Sequence, residues 1–544
     1  MQFDDIVKDI GGYGRYQKLI ILLVTFPQIL ISIQALLPVF ILSRHDYRCN
    51  TQMENSIHQP NNISTSEFQS IATLKTSRCS IQPFVNSTNI TEMYPCTSWT
   101  FDKSDLISSP ISDFNLVCDD AVLTQHASMA FMGGNLIGSF ILGFVGDTWG
   151  RKIVMYIGAV LLFLSSLVCA WSVNFVMFII LRFLAGVATI TCISSALIIA
   201  FEIVDPEHRS HVAVVVDLAW CVGEVLLSGA AYFLRDWRHL QIAVSSPGII
   251  LLLYWFLMPE SARWLIANGR REKALGTITR ASRVNKKRIQ IDISKIKLDH
   301  QKSRNEIKPV FTSCTLLFRF AMVLFLWFVL ALTYYGLTFN VGQISHKIYL
   351  DFLIYAVLEM VAYVTCLYVN TTFGRKPLNI GAFLLSGMAC VSSTLVSIYA
   401  EGELGWLVIV LSALGRMAVS AVFANIFIYS GELFPTTIRS FILAFANVAA
   451  RIGAVIAPYI AALGSNSVVS NTSLIFGILS LAAGLVSCLL PETVNTALPD
   501  QMADMKKEHF HYEHRPIRCQ DIDSKTDVTI EEQKRVISSN VTTY

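Results

Sequence analysis

Apolar residues gather along the chain into long runs, each near the roughly 20 residues needed to cross a hydrocarbon core of about 30 Å. Twelve runs are readable. The first six extend approximately from Leu19 to Leu42, Val122 to Val145, Ile153 to Trp171, Phe175 to Phe201, Val212 to Leu234 and Leu240 to Met258. After a polar segment, six more extend from Phe318 to Phe339, Ile348 to Val369, Leu378 to Tyr399, Leu404 to Tyr429, Phe441 to Leu463 and Leu474 to Leu490. The pattern predicts an all-α membrane protein of twelve transmembrane helices. The start MQFDDIVKDIGGYGRYQK mixes charges, and the apolar run after it is too long for a signal-peptide core. The first helix is therefore expected to remain as an uncleaved span.

Composition agrees. A soluble chain of 544 residues would divide into about three or four domains. Only 15% of the residues are charged and 53% are hydrophobic, against roughly 25% charged in globular proteins, which leaves too little charge to cover several soluble surfaces. Mean hydropathy is +0.53. A net charge of +3 argues against a nucleic-acid partner. The chain has no zinc-type Cys/His spacing, phosphate loop or dinucleotide glycine pattern, so no metal, cofactor or enzyme chemistry is expected.

Orientation follows from Lys and Arg. With both termini in the cytoplasm, 30 of the 42 basic residues fall in cytoplasmic segments, as the positive-inside rule requires. Four parts result: a first six-helix half over residues 1–258 with an extracellular loop at 43–121, a linker at 259–317, a second half at 318–491 and a cytoplasmic tail at 492–544. The linker holds 14 Lys/Arg against five Asp/Glu and reads as solvated helix near anionic lipid.

The loop holds Cys49, Cys79, Cys96 and Cys118, enough for two disulfides in an oxidising compartment, with three connectivities open. It also carries glycosylation sequons at Asn62, Asn86 and Asn89. The tail ends VTTY, with Thr542 placed as in peptides that add a strand to a PDZ-type partner.

The two sets of six spans share an internal repeat. Asp147 opens DTWGRK after the second span, and Asn370 opens NTTFGRK after the eighth. Glu202 precedes Arg209 after the fourth span as Glu432 precedes Arg439 after the tenth, and Pro259-Glu260 closes the sixth as Pro491-Glu492 closes the twelfth. Members of each pair lie about 230 residues apart. Two parallel six-helix halves are the major facilitator arrangement, with a substrate site between the halves near mid-membrane. Asp147, Gly150, Arg151, Glu202, Arg209, Glu432 and Arg439 are therefore candidates for gating. Their carboxylates and guanidinium groups are expected to bond across the interface between halves in one access state. Gly134 and Gly138 give the second span a small-residue face for close helix packing.

With these residues in view, the chain resembles the organic cation, anion and carnitine transporter family of the major facilitator superfamily over nearly its whole length. The resemblance rests on FDDIVKDIGGYGRYQ, TSWTFDKS, SDFNLVCDDA, GFVGDTWGRK, DWRHLQIAVSSPG, PESARWLIANGR, YYGLTFNVG, YSGELFPTTIRS and LLPETVNTALPD. It departs from the family at Asn370, where superfamily members often carry an acid, and in having four loop cysteines where many members show six. It implies a plasma-membrane carrier of small organic ions working by alternating access, with a coupled or exchanged ion as a further partner.

Ionisable groups inside spans are costly and point to function. Arg182, Asp217, Glu224, Arg319, Asp351, Glu359, Arg416 and Arg451 lie within the runs. Arg182 and Arg416 occupy matching places in the halves, and Asp217 could pair with a basic turn. Glu224, Glu359 and Arg451 lie closest to mid-depth. Arg451 stands where related anion and carnitine carriers have Arg, and a guanidinium can grip a carboxylate bidentately. Glu359 resembles the acid that cation and carnitine carriers have in this span, and Glu224 could carry a coupled proton. An internal salt bridge from Arg451 to either acid is the competing reading. Trp220, Trp327, Tyr334, Tyr335, Tyr363 and Tyr429 are candidate aromatic walls. Gln28, Gln34, Thr189, Thr191, Ser194 and Ser195 are candidate polar contacts, and Gln28 falls where related sodium-coupled carriers have Asn. The leading reading is a transporter of organic anions or zwitterions of carnitine, urate or nicotinate type. A cation carrier is the alternative, and a membrane receptor or scaffold a remote one.

Overall fold

The computed structural model describes residues 3–43, 46–50, 72–76, 79–85, 88–89, 94–104, 106–287, 310–311, 313–344, 347–399, 404–463 and 470–493. Asn62, Asn86, most of the basic linker after residue 287 and the tail with its VTTY ending lie outside them, as does the Asp147 side chain.

Each apolar run becomes a helix. In chain order these are α1 (Arg15–Ile41, turning at Leu37–Pro38), α2 (Leu123–Trp149), α3 (Arg151–Cys169), α4 (Phe175–Ile203), α5 (Arg209–Phe233) and α6 (Trp237–Leu257). The second set is α7 (Cys314–Ile344), α8 (Ile348–Thr372), α9 (Arg375–Tyr399), α10 (Gly405–Glu432), α11 (Thr436–Leu463) and α12 (Ser470–Cys488). In α6 the α-helical ends flank a 3-10 stretch, Ser246–Leu253, entered at Pro247, whose missing N–H cannot continue an α ladder. Outward-facing side chains such as Leu22, Phe233, Phe256 and Leu485 are exposed apolar groups, as a lipid-facing surface requires.

The helix pairings repeat with a shift of six. In the first half α2 packs on α4, α3 on α4, α1 on α5, and α3 on α6; in the second, α8 packs on α10, α9 on α10, α7 on α11, and α9 on α12. Between halves α5 meets α8 and α2 meets α11, a pair of contacts that the same shift exchanges. The repeat read from three short motifs is thus a repeat of the whole architecture. Gly134 and Gly138 face α4: a Cβ on Gly134 would collide with the Phe183 carbonyl, so α2 and α4 touch backbone to backbone.

One face of the bundle carries the described residues between 46 and 121 and is termed the loop face; the other carries both ends of the described chain and is termed the terminal face. On the loop face β1 (Tyr47–Cys49) pairs antiparallel with β6 (Trp99–Phe101). A second sheet joins β3 (Ser80–Val85) to β2 (Ala72–Thr76), β4 (Thr88–Asn89) and β5 (Tyr94–Pro95). Of the three connectivities open to the four cysteines, the fold contains Cys49–Cys96 and Cys79–Cys118. Asn89 lies in β4. The segment is pinned to α6: Asp236 caps that helix through the backbone N–H groups of Arg238 (2.8 Å) and His239 (3.1 Å) and accepts from Ser108 Oγ (2.9 Å). Partial burial works against the Asp236 carboxylate, but these donors hold it below the usual range. Trp237 Nε1 and Arg238 donate to Asp113, so two motifs distant in sequence, DWRHL and SDFNL, meet here.

Candidate functional site

Within the helix bundle, α5 carries Trp220 and Glu224 on one face, four residues apart, and the second half meets them with Tyr334 from α7, Glu359 and Tyr363 from α8 and Arg416 from α10. Arg416 is the hub. Its Nη2 lies 2.6 Å from Glu224 Oε1 and 2.8 Å from Glu359 Oε2. Both acids are fully buried, and Arg416 is 1% exposed. Tyr334 Oη donates within 3.0 Å of Glu359 and also lies 3.2 Å from Glu224, while Tyr363 Oη donates to Glu359 at 2.8 Å. Trp220 Nε1 reaches Glu224 at 3.1 Å and Tyr334 Oη at 2.9 Å. The guanidinium plane is enclosed by the rings of Tyr334 (5.0 Å), Tyr355 (5.5 Å) and Phe352 (5.8 Å). Charges this deep are tolerated only when paired, and the pairing here is partial: Glu224 Oε2 and Arg416 Nε and Nη1 have no hydrogen-bond partner. Two carboxylates share one guanidinium, so with both acids ionised the cluster holds one excess negative charge.

Beside this cluster stands Arg451 on α11, next to the Tyr335 hydroxyl. Tyr335 packs edge-on to Tyr334 with centroids 5.2 Å apart. Arg451 is partly buried, its Nε has no hydrogen-bond partner, and among the described residues it forms no ion pair. The acids that could neutralise it are both taken by Arg416.

On the loop face, aromatic groups seal the two halves. Phe40 stacks on Tyr349 (5.7 Å) and meets Phe352 edge-on (5.0 Å); Tyr232 packs against Tyr349 (5.9 Å), and Ser228 Oγ donates to the Tyr349 carbonyl at 2.7 Å. On the other side of the bundle axis His126 and Tyr459 make the equivalent contact between α2 and α11 (5.7 Å).

A profile of the family described as sugar (and other) transporter matches residues 68–504. The chain is 31% identical to an organic cation transporter protein of Drosophila melanogaster, covering 93% of this chain and 94% of the relative. It is 28% identical to mouse solute carrier family 22 member 6 and 29% identical to human solute carrier family 22 member 13, again with 93% of this chain covered and 94% and 93% of the relatives. The chain belongs to the solute carrier 22 family of organic ion transporters. Its fold matches a partially occluded inward-open structure of the Escherichia coli xylose transporter XylE, with a TM-score of 0.61 at 17% identity over 89% of this chain and all of that one. This solute carrier is therefore a multi-pass membrane transporter of the major facilitator fold.

Within this organic ion transporter, the expected site residues fall into three groups. Glu224, Glu359, Tyr334, Trp220 and Tyr363 converge directly, and Tyr335 and Arg451 adjoin them. Gln28 on α1 has a buried Oε1 without a partner. Four further candidates bond within the protein: Trp327 donates to Ser430 Oγ (2.9 Å), Tyr429 to the Pro491 carbonyl (2.8 Å), and Thr189 and Thr191 to carbonyls of their own helix, while Ser195 Oγ is buried without a partner. Gln34 bonds Ser245 (3.0 Å) and Gln241 (3.1 Å), and its carbonyl accepts from Arg182. A salt bridge from Arg451 to Glu359 or Glu224 is not formed. Asp217 pairs with no basic turn among the described residues. Arg416 was legible only as the counterpart of Arg182; its partners lie 192 residues upstream and 57 residues upstream, beyond the reach of local pattern.

The described bonds of the turn residues on the terminal face lie within each half. Glu260 accepts from the backbone N–H groups of Arg151 (3.1 Å) and Lys152 (3.2 Å), capping α3; Glu492 does the same for Arg375 (3.2 Å) and Lys376 (3.1 Å) at α9. Gly150 and Gly374 hold φ of +106° and +102°, and a Cβ on Gly150 would lie 2.5 Å from Glu260 Oε2. Glycine is what lets the chain turn beneath its capping carboxylate. Glu202 accepts from Ser261 and Glu432 from Thr493 (2.6 Å), with Arg375 3.3 Å from Glu432. Arg209 reaches Asp4 of the short helix Phe3–Asp9 (3.2 Å), and Arg439 lies near the Phe434 carbonyl.

Proposed function

We propose that this transporter moves small organic anions or zwitterions, of the carnitine, urate or nicotinate type, across the plasma membrane by alternating access, with both termini in the cytoplasm. The observation that carries the reading is Arg451: a mid-depth guanidinium without a carboxylate partner, next to two acids that Arg416 already holds. A substrate carboxylate supplies its missing counter-charge with bidentate geometry, in surroundings of low polarity where that pairing is strong. Tyr334, Tyr335 and Trp220 offer apolar and aromatic wall, and Gln28 an uncommitted polar atom. Glu359 and Glu224 form the negative end that accommodates the cationic group of a zwitterion. The aromatic seal on the loop face and the inward-open structural relative fit a site approached from the terminal face, which the distribution of basic residues assigns to the cytoplasm. The 46–121 segment, with its two disulfides, then faces the oxidising exterior.

Cation transport is the second reading, favoured by the excess negative charge of Glu224 and Glu359 over Arg416. Uptake of labelled nicotinate, urate, carnitine and tetraethylammonium into cells expressing the wild type and Arg451→Ala separates the two. The expected result is loss of carboxylate uptake by at least about tenfold, the scale of one charge-assisted hydrogen bond, with any tetraethylammonium uptake retained. Carboxylate uptake indifferent to the substitution would sink the anion reading.

A further inference from the structure

The ion pair between Glu224 and Arg416 differs from its neighbour in one respect. Glu359 and Arg416 belong to the same half and move together, whereas Glu224 sits on α5 of the first half and reaches across the interface to α10 of the second. Trp220 and Tyr334 add hydrogen bonds across the same gap. Opening the loop-face seal moves α5 away from α8 and α10, so the Glu224–Arg416 contact must part. Parting it with Glu224 ionised strands a carboxylate that is fully buried and whose Oε2 already lacks a hydrogen-bond partner. Arg416 meets no such penalty, because Glu359 stays with it.

We infer that Glu224 is a proton-binding site whose occupancy permits the two halves to part at mid-membrane, coupling a proton to the transport cycle. A proton taken from water onto Oε2 turns Glu224 neutral, transfers the whole of Arg416 to Glu359, and removes the cost of separation. The groups facing Glu224 are Arg416 from α10, Glu359 from α8 and Tyr334 from α7, with Asp217 and Cys221 on its own helix and Arg451 beyond Tyr335. From α1, Ser32 and Ile29 lie against Gly223 and bring no ionisable group. The described hydrogen bonds and ion pairs of α4 and α6 do not reach it. With Arg416 and Arg451 positive and both acids negative, the empty site is neutral. A monoanion on Arg451 together with one proton on Glu224 restores that neutrality, so an anion and a proton travel as an electroneutral pair. This stoichiometry rests on the anion reading; the proton site itself does not.

The test therefore uses no substrate. Purified full-length protein is reconstituted in liposomes as wild type, Glu224→Gln and Glu359→Gln. Infrared difference spectra between alkaline and acidic pH read the carbonyl stretch of a protonated buried carboxyl. Spin labels on cysteines at the exposed positions Val122 and Leu463, at the loop-face ends of α2 and α11, read the opening of the seal. Acidification is expected to add the protonated-carboxyl band and lengthen the label distance in wild type. In Glu224→Gln the band is lost and the distance is long at both pH values, while Glu359→Gln keeps the band. Should Glu224→Gln not fold, Glu224→Asp serves in its place, with the band shifted in frequency. A wild type without the band, a band that survives in Glu224→Gln, or one that disappears in Glu359→Gln alone would overturn the inference. Failure of the substrate reading is recognised separately, by carboxylate uptake that is indifferent to Arg451→Ala.

Discussion

At the scale of single residues, the centre of the molecule is organised by Arg416, whose guanidinium satisfies two carboxylates from different helices within 2.8 Å. Removing one partner from a buried ionic group leaves an uncompensated charge, which costs about 3–5 kcal/mol. Arg416→Met is therefore expected to lower thermal stability in detergent by an amount of that order, and Glu224→Gln added to it to recover part of the loss. A double substitution no more stable than Arg416→Met alone would contradict the shared-charge account. The measurement is a melting curve for the four members of the cycle, since residues in one network are not additive and only the cycle isolates their coupling.

At the scale of elements, the chain repeats one device at two helix starts: a glycine with positive φ, a basic pair, and a carboxylate arriving from the end of a helix more than a hundred residues later. Glu260 closes the N-terminus of α3 and Glu492 that of α9. A helix N-terminus presents unpaired N–H groups and the positive end of its dipole, so a carboxylate there is worth about 1 kcal/mol. Glu260→Ala and Glu492→Ala are each expected to destabilise by about that much, and the pair by the sum because the sites lie in different halves. A marked departure from additivity in thermal unfolding would mean that the two turns communicate. The PESARWLI motif is explained in the same terms. Glu260 caps, Ser261 donates to Glu202, Trp264 is buried, and Arg270 stacks over the Trp264 ring at 5.3 Å.

At the scale of the whole molecule, two six-helix units meet through α5 with α8 and α2 with α11, and their loop-face ends are closed by Phe40, Tyr232 and Tyr349. If transport requires these ends to part, joining them stops it. A Phe40→Cys, Tyr349→Cys pair replaces rings whose centroids are 5.7 Å apart. Under oxidation it is expected to abolish uptake reversibly, with recovery on reduction. Continued uptake by fully cross-linked protein would show that this seam does not open during the cycle.

The twelve spans, the division into halves and the family were legible without coordinates, because each rests on local features: the length of an apolar run, the position of Lys and Arg, and short motifs recurring in order. The mid-depth charges were legible too, since the bilayer makes every ionisable residue within a span conspicuous. Their pairing was not. A salt bridge from Arg451 to Glu359 or Glu224 stood as the competing reading, whereas the fold gives both acids to Arg416 and leaves Arg451 beside Tyr335. Depth is set by position along one helix, but a partner is set by the rotation and packing of several. The choice among three disulfide connectivities and the capping partners of Glu260 and Glu492 have the same origin, because spacing along a chain does not encode which helix faces become neighbours.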